Sequence, residues 1–254
     1  IGQKSHRGHG EKHGSRGGRV VSRRYEAVAD QVDFENIYSL DEGLELVKET
    51  ATAEFDETVD VAFNMGVNPS QNMIRGSTVL PNGTGKEVTV LAFAKGEARK
   101  EAEEAGADYL GDEETVERIE DGWLEFDEVV STPDMMSVIG RLGRILGPRG
   151  MMPSPKSNTV SDEIGEAISR LKKGQVEFRT DKYGVIHVSL GKCSFSVPEL
   201  RENLIELSKS IYDQRPEEGV QERFIKKVTV SPTMGPGLKL SVDELRDRVY
   251  ERKV

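Results

Sequence analysis

Residues 141–156 read Arg141-Leu142-Gly143-Arg144-Ile145-Leu146-Gly147-Pro148-Arg149-Gly150-Met151-Met152-Pro153-Ser154-Pro155-Lys156, an amphipathic helix running into a basic loop stiffened by glycine and proline. From Met135 to Lys156 there are four Arg or Lys and no acid, directly after a stretch dominated by Asp and Glu, so the sign of the surface switches abruptly. Such a loop suits a phosphate-rich partner. A turn-rich linker with incidental charge has the same composition.

The chain before this loop alternates helix and strand. Ser39-Leu40-Asp41-Glu42 has the pattern of a capping box, and Leu40, Leu44 and Val47 then share one face of a helix over about residues 40–50. Val59, Val61, Phe63 and Met65 alternate with Thr58, Asp60, Ala62 and Asn64, which predicts a strand over 57–66 with one face on a core. Past the breaker Gly66-Val67-Asn68-Pro69-Ser70, strands near 88–93, 109 and 126–130 alternate with helices near 97–105, 113–120 and 134–146. Thr132 is placed to cap the last of these, with Pro133 in its first turn.

Beyond the loop, Ile164, Ala167, Ile168 and Leu171 recur at helical spacing after Ser161, and Lys172-Lys173-Gly174 reads as a stop. Val176 and Phe178 then point one way and Glu177 and Arg179 the other. After the turn at 181–184, Val185, His187 and Ser189 share a face opposite Ile186, Val188 and Leu190. Pro198 opens a helix carrying Leu200, Leu204, Leu207 and Ile211, and residues 224–231 supply the last long strand. Ser241-Val242-Asp243-Glu244 offers another capping box leading into Leu245 and Val249. That extension either packs on the body of the protein or meets a neighbouring one.

A chain of 254 residues, 35% hydrophobic, suggests two modest cores rather than one large one. Its net charge is −10, yet residues 1–24 carry seven Lys or Arg against one acid, so +6 there leaves −16 on the remainder. A nucleic-acid site on that acidic body must be a local basic patch. Residues 1–21 are rich in Gly, Ser, His and basic residues, predicting a disordered polycationic arm that either touches RNA phosphates or stays solvated. His6, His9 and His13 have spacings a metal can use, but ordering a Gly-rich segment opposes it, and no metal site or cofactor is expected. The basic, acid-poor start also keeps an organellar transit remnant as an alternative. One cysteine, Cys193, excludes an intramolecular disulfide framework and fits a reducing compartment, and no apolar run is long enough to span a bilayer.

Enzyme readings fail on spacing. In Gly83-Thr84-Gly85-Lys86 the upstream glycine of a phosphate loop is Leu80, and the residue after Lys86 is Glu87 instead of Ser or Thr. The α/β stretch lacks the Gly-x-Gly-x-x-Gly turn of a dinucleotide fold. No His, Cys or Ser constellation partners the abundant carboxylates, so no catalytic residue is assigned.

The loop at 141–156 resembles the signature of the ribosomal protein L-one family, RNA-binding proteins of the mobile stalk beside the tRNA exit site of the large ribosomal subunit. Four further segments are similar to family segments in the same order: Phe55-Asp56-Glu57-Thr58-Val59-Asp60-Val61, residues 74–86 from Ile74-Arg75-Gly76, residues 178–187 from Phe178-Arg179-Thr180-Asp181, and residues 226–237 ending Thr233-Met234-Gly235-Pro236-Gly237. The resemblance covers roughly residues 22–238 and implies a mixed α/β and α+β fold of two domains. In that picture a discontinuous α+β RNA-binding domain (22–67 and 158–238) is interrupted by an inserted Rossmann-like α/β domain (68–157), followed by a helical extension (239–254).

The same resemblance implies ribosomal-RNA contacts at Phe55, Thr58, Thr233, Met234 and Gly235, with Lys172, Arg179, His187 and Lys227 supplying surrounding charge and hydrogen bonds. Glycine admits close backbone approach, a Thr hydroxyl bonds ribose or phosphate oxygens, and Phe or Met packs on a ribose or exposed base. Arg144, Arg149 and Lys156 become candidates for exit-site tRNA or outer stalk RNA. The implied partners are large-subunit ribosomal RNA, exit-site tRNA and the protein's own messenger leader, whose binding represses translation of its operon. Neither a membrane nor an obligate homo-oligomer is expected. The implied location is the cytoplasmic ribosome, or an organellar one. A free RNA-binding translational regulator with the same fold is the alternative, separable by salt-resistant co-sedimentation with the large subunit. Two features depart from the family: residues 68–73 are short and uncharged where members carry a longer basic connection, and the chain continues past Gly237.

Overall fold

Of the capping box expected at Ser39, the structure has the half in which Ser39 Oγ accepts the Glu42 N–H, at 3.3 Å. A computed structural model describes residues 23–251, so the expected arm at 1–21, with His6, His9 and His13, lies outside the described residues. The chain runs α1 (Arg23–Ala29), α2 (Leu40–Thr50), β1 (Thr58–Val67), β2 (Arg75–Val79), β3 (Val90–Phe93), α3 (Glu97–Glu104), β4 (Tyr109–Gly111), α4 (Glu113–Glu120) and β5 (Glu128–Ser131).

The single helix expected over 134–146 is a run of short turns instead. Three-ten turns at Pro133–Met135 and Gly140–Leu142 alternate with α5 (Met136–Ile139) and α6 (Gly143–Leu146). Gly140 and Gly143 open two of these turns, and each costs a helix about 1 kcal/mol relative to Ala. Thr132 occupies the N-cap position but makes no side-chain cap bond. Then come α7 (Ile164–Lys172), β6 (Gln175–Arg179), β7 (Val185–Lys192), α8 (Val197–Asp213), β8 (Val220–Pro232), β9 (Leu238–Leu240) and α9 (Val242–Glu251). A full capping box, Ser196 with Glu199, starts α8.

Three sheets result: an antiparallel sheet ordered β7-β1-β8-β9, an antiparallel pair β2-β6, and a parallel sheet β4-β3-β5. One core joins the buried face of β1 (Val59, Val61, Phe63, Met65) to Leu44 and Val47 of α2 and Leu204, Leu207 and Ile211 of α8. The parallel sheet is covered on both sides, as parallel sheets require. Leu91, Phe93 and Val129 face Val116, Ile119, Ile139 and Leu142, while Val90, Ala92 and Val130 face Ala102, Ile164, Ile168 and Leu171.

The cores do not change over at the crossings expected near 67 and 158. Ile74 and Leu80 join the first core because β2 pairs with β6, and Ile164–Lys172 packs on the parallel sheet. Hydrophobic period reports that a face is buried, not which core receives it.

The C-terminal extension packs on the first core. Leu245 and Val249 are fully buried there, Tyr250 lies 6.0 Å from Tyr212 between ring centroids, and Glu244 Oε2 accepts the Leu40 N–H at 3.2 Å. No described helix is long and apolar enough to cross a membrane.

Candidate nucleic-acid interface

The four-stranded sheet has one face on helices and one face without them. Register lines up Ser189-Asp60-Ser231, then His187-Ala62-Thr229-Lys239, then Val185-Asn64-Lys227 across β7, β1, β8 and, in the middle row, β9. His187 and Lys227 are exposed on this polar face. From Thr58 to Asn64 it extends about 20 Å at the usual strand rise.

At the Thr58 end, a buried carboxylate organises two loops. Glu57 is 1% exposed; its Oε1 accepts the Ala53 N–H and its Oε2 the Met234 N–H, each at 2.8 Å. The first bond shapes the loop presenting Phe55, the second the turn presenting Met234, and both side chains are more than half exposed. Thr233 Oγ1 accepts the Thr58 N–H at 3.0 Å and lies 3.3 Å from the Thr58 carbonyl, to which it donates. That consumes its proton and one lone pair, so it can still accept a bond, as from a ribose 2′-OH, but not donate to a phosphate. Gly235 is required by the protein itself: a Cβ there would lie 2.5 Å from Pro232 Cγ and 3.1 Å from the Thr50 carbonyl oxygen.

Sequence reasoning missed Glu57, although its signal was present. It shares odd-numbered parity with Val59, Val61 and Phe63, so the alternation that buries those residues buries this acid too. Lys192 was also missed; its Nζ donates to Thr58 Oγ1 at 3.0 Å.

The basic loop comes up against this sheet. Arg149, Gly150 and Met151 line a cavity of about 400 Å³ with Thr58, Ser189 and Lys192. Gly147, Met152 and Ser154 border a larger groove of about 1140 Å³ that also holds Arg179 and His187. Arg144 and Lys156 are exposed but line neither. Lys172 does not join the others, since its Nζ sits 3.2 Å from Asp108 beside the parallel sheet.

Charge pairing separates the cations. Arg75, Lys86, Arg99, Arg170, Lys172 and Arg201 all bond carboxylates. Among the described residues, Arg179, Lys227, Arg144, Arg149 and Lys156 have no carboxylate partner. Exposed Lys95, Lys100, Arg118, Arg141, Lys173 and Lys226 also have no carboxylate partner among the described residues, so pairing alone does not mark a site; it leaves Arg179, Lys227 and Arg149 available to an outside anion where they stand beside the sheet.

Glu128 lines the smaller cavity, and burial pushes its carboxyl from 4.5 up to about 7, with Glu177 and Asp127 adding to the rise and Lys86 opposing it. A raised folded-state value makes its contribution most favourable below the unfolded value and lost as pH climbs from 4.5 to about 7. Glu128→Gln is therefore expected to leave stability unchanged near pH 4 and raise it by about 2–3 kcal/mol near pH 8, measured by urea unfolding at both. Burial also pushes the Cys193 thiol up to about 11, the wrong direction for a nucleophile.

Residues 47–236 match the model of the ribosomal protein L1p/L10e family. The chain belongs to that family. The match spans every element from β1 to β8, both sides of the sheet end organised by Glu57, and the basic loop. The L1p/L10e family is one of RNA-binding ribosomal proteins, not of enzymes.

Proposed function

We propose that this chain is a constituent of the large ribosomal subunit that grips stalk ribosomal RNA with the open face of the β7-β1-β8-β9 sheet. The observation that carries the reading is uncompensated Lys227 on that face, Arg179 of β6 in the groove it shares with His187, and, at the Thr58 end, exposed Phe55 and Met234 with a Thr233 hydroxyl that keeps one free lone pair. Cations hold phosphates, the apolar pair packs on ribose or base, and the hydroxyl reads the 2′-OH. The first core with its sheet and the parallel-sheet unit act as two domains, the second riding further out, with β2 and β6 on the side of the first and Ile164–Lys172 on the side of the second. There Arg144 and Lys156 meet exit-site tRNA or outer stalk RNA and assist its movement, with Arg149, which faces the sheet across the smaller cavity, joining them from the inner side. The same sheet face binds the protein's own messenger leader, so messenger and ribosomal RNA compete.

The test is a salt titration of binding to a stalk ribosomal-RNA fragment against a scrambled RNA of equal length. Binding to the stalk fragment is expected to persist at salt that releases the scrambled one; simultaneous loss of both would overturn a shape-reading face. Thr233→Val is expected to weaken stalk-RNA binding by about 1–3 kcal/mol, because the Thr58 N–H loses its acceptor and the 2′-OH its partner. Wild-type affinity in that variant removes Thr233 from the site.

A further inference from the structure

Tyr183 is the most exposed large apolar side chain described, at 74%, and Met73, at 67%, lines the same groove. Neither is needed by any core. The tyrosine is presented by a rigid turn: Asp181 Oδ1 accepts the N–H groups of Tyr183 and Val185, each at 2.8 Å, and Gly184 takes the positive φ of +78° that closes the hairpin. These bonds hold the Asp181 carboxyl below the usual carboxylate range, so it stays ionised, with its Oδ1 engaged by the turn. Glu177, the other acid of the groove, is bonded to Arg75 at 3.5 Å. Arg179 and Lys182 are left without a carboxylate partner among the described residues, and Lys182 Nζ lies 5.0 Å from the Tyr183 ring centroid.

We infer that this groove is a pocket for a single unpaired nucleobase of the bound RNA, stacked on the Tyr183 ring with Arg179 and Lys182 on its phosphates. A turn with its backbone fixed by hydrogen bonds holds an exposed ring at the groove, and every base has a π-face to offer. The groove, about 1140 Å³, is open enough to admit a nucleotide without rearrangement. Met73 forms an apolar flank, which a base plane exploits and a bare phosphate does not. This inference rests on the RNA-binding reading above and adds a contact beyond the sheet end at Phe55.

The experiment compares the full chain with Tyr183→Ala and Tyr183→Phe for binding a stalk ribosomal-RNA fragment in which 2-aminopurine replaces unpaired bases one at a time. The expected result is about tenfold weaker binding for Tyr183→Ala, binding within about twofold of wild type for Tyr183→Phe, and one reporter position that stacks with wild type and Phe but not with Ala. Wild-type affinity in Tyr183→Ala, with no position losing its signal, overturns the pocket and leaves the groove to a protein neighbour. A Phe variant as weak as Ala overturns stacking in favour of the hydroxyl. Failure of the wild-type chain to bind the fragment is a separate result and removes the RNA-binding reading itself.

Discussion

Glu57→Ala is expected to destabilise the protein by about 3–4 kcal/mol and to reduce stalk-RNA affinity at least a hundredfold. Both effects come from the two N–H groups of Ala53 and Met234, which lose their acceptor together at a buried position. The loss in binding is larger than for any one contact residue because Phe55, Thr233, Met234 and Gly235 depend on the same anchor. Glu57→Gln separates the two: its single acceptor oxygen keeps one N–H, so it should fall between wild type and Ala in both urea unfolding and RNA titration. A Glu57→Ala protein that binds stalk RNA with wild-type affinity would show that the loop and the turn hold their shapes independently.

The second large effect lies on the opposite face of the sheet. Leu245→Ala with Val249→Ala is expected to cost about 4–6 kcal/mol, since both side chains are fully buried in the first core and α9 has no other attachment of that size. Such a loss consumes much of a typical domain's stability. RNA affinity of the molecules that remain folded should be unchanged, because α9 packs on the helix side. The measurement is the urea midpoint followed by RNA titration well below it. A loss under about 1 kcal/mol would make α9 a detachable extension.

The elements were largely legible before the structure. Strict alternation from Val59 to Met65 marked β1, and Ser196, Pro198 and Glu199 marked the start of α8, because both signals depend only on near neighbours. Short strands were harder. Arg75–Val79 is half-buried throughout and Leu238–Leu240 has three residues, so neither carries a usable period. The 134–146 segment carried a helical hydrophobic period, but glycines at 140 and 143 divided it into separate turns.

For the candidate site, the residue types and motifs were readable, and their bonding was not. Thr233 reads as a hydroxyl for RNA, yet most of its capacity is used on Thr58. Gly235 reads as room for RNA, yet Pro232 and Thr50 fill that room. Lys172 reads as a free cation until Asp108, distant in sequence, reaches it.

By itself the amino-acid sequence determined most of the helices and longer strands and the sign change at the basic loop, because each follows from local spacing and composition. Tertiary structure alone decided which core each buried face joins, that the final helix closes the first of them, and which cations remain unpaired. Those outcomes depend on residues far apart in the chain meeting in space, and a carboxylate that neutralises a lysine leaves no mark in the lysine's own neighbourhood.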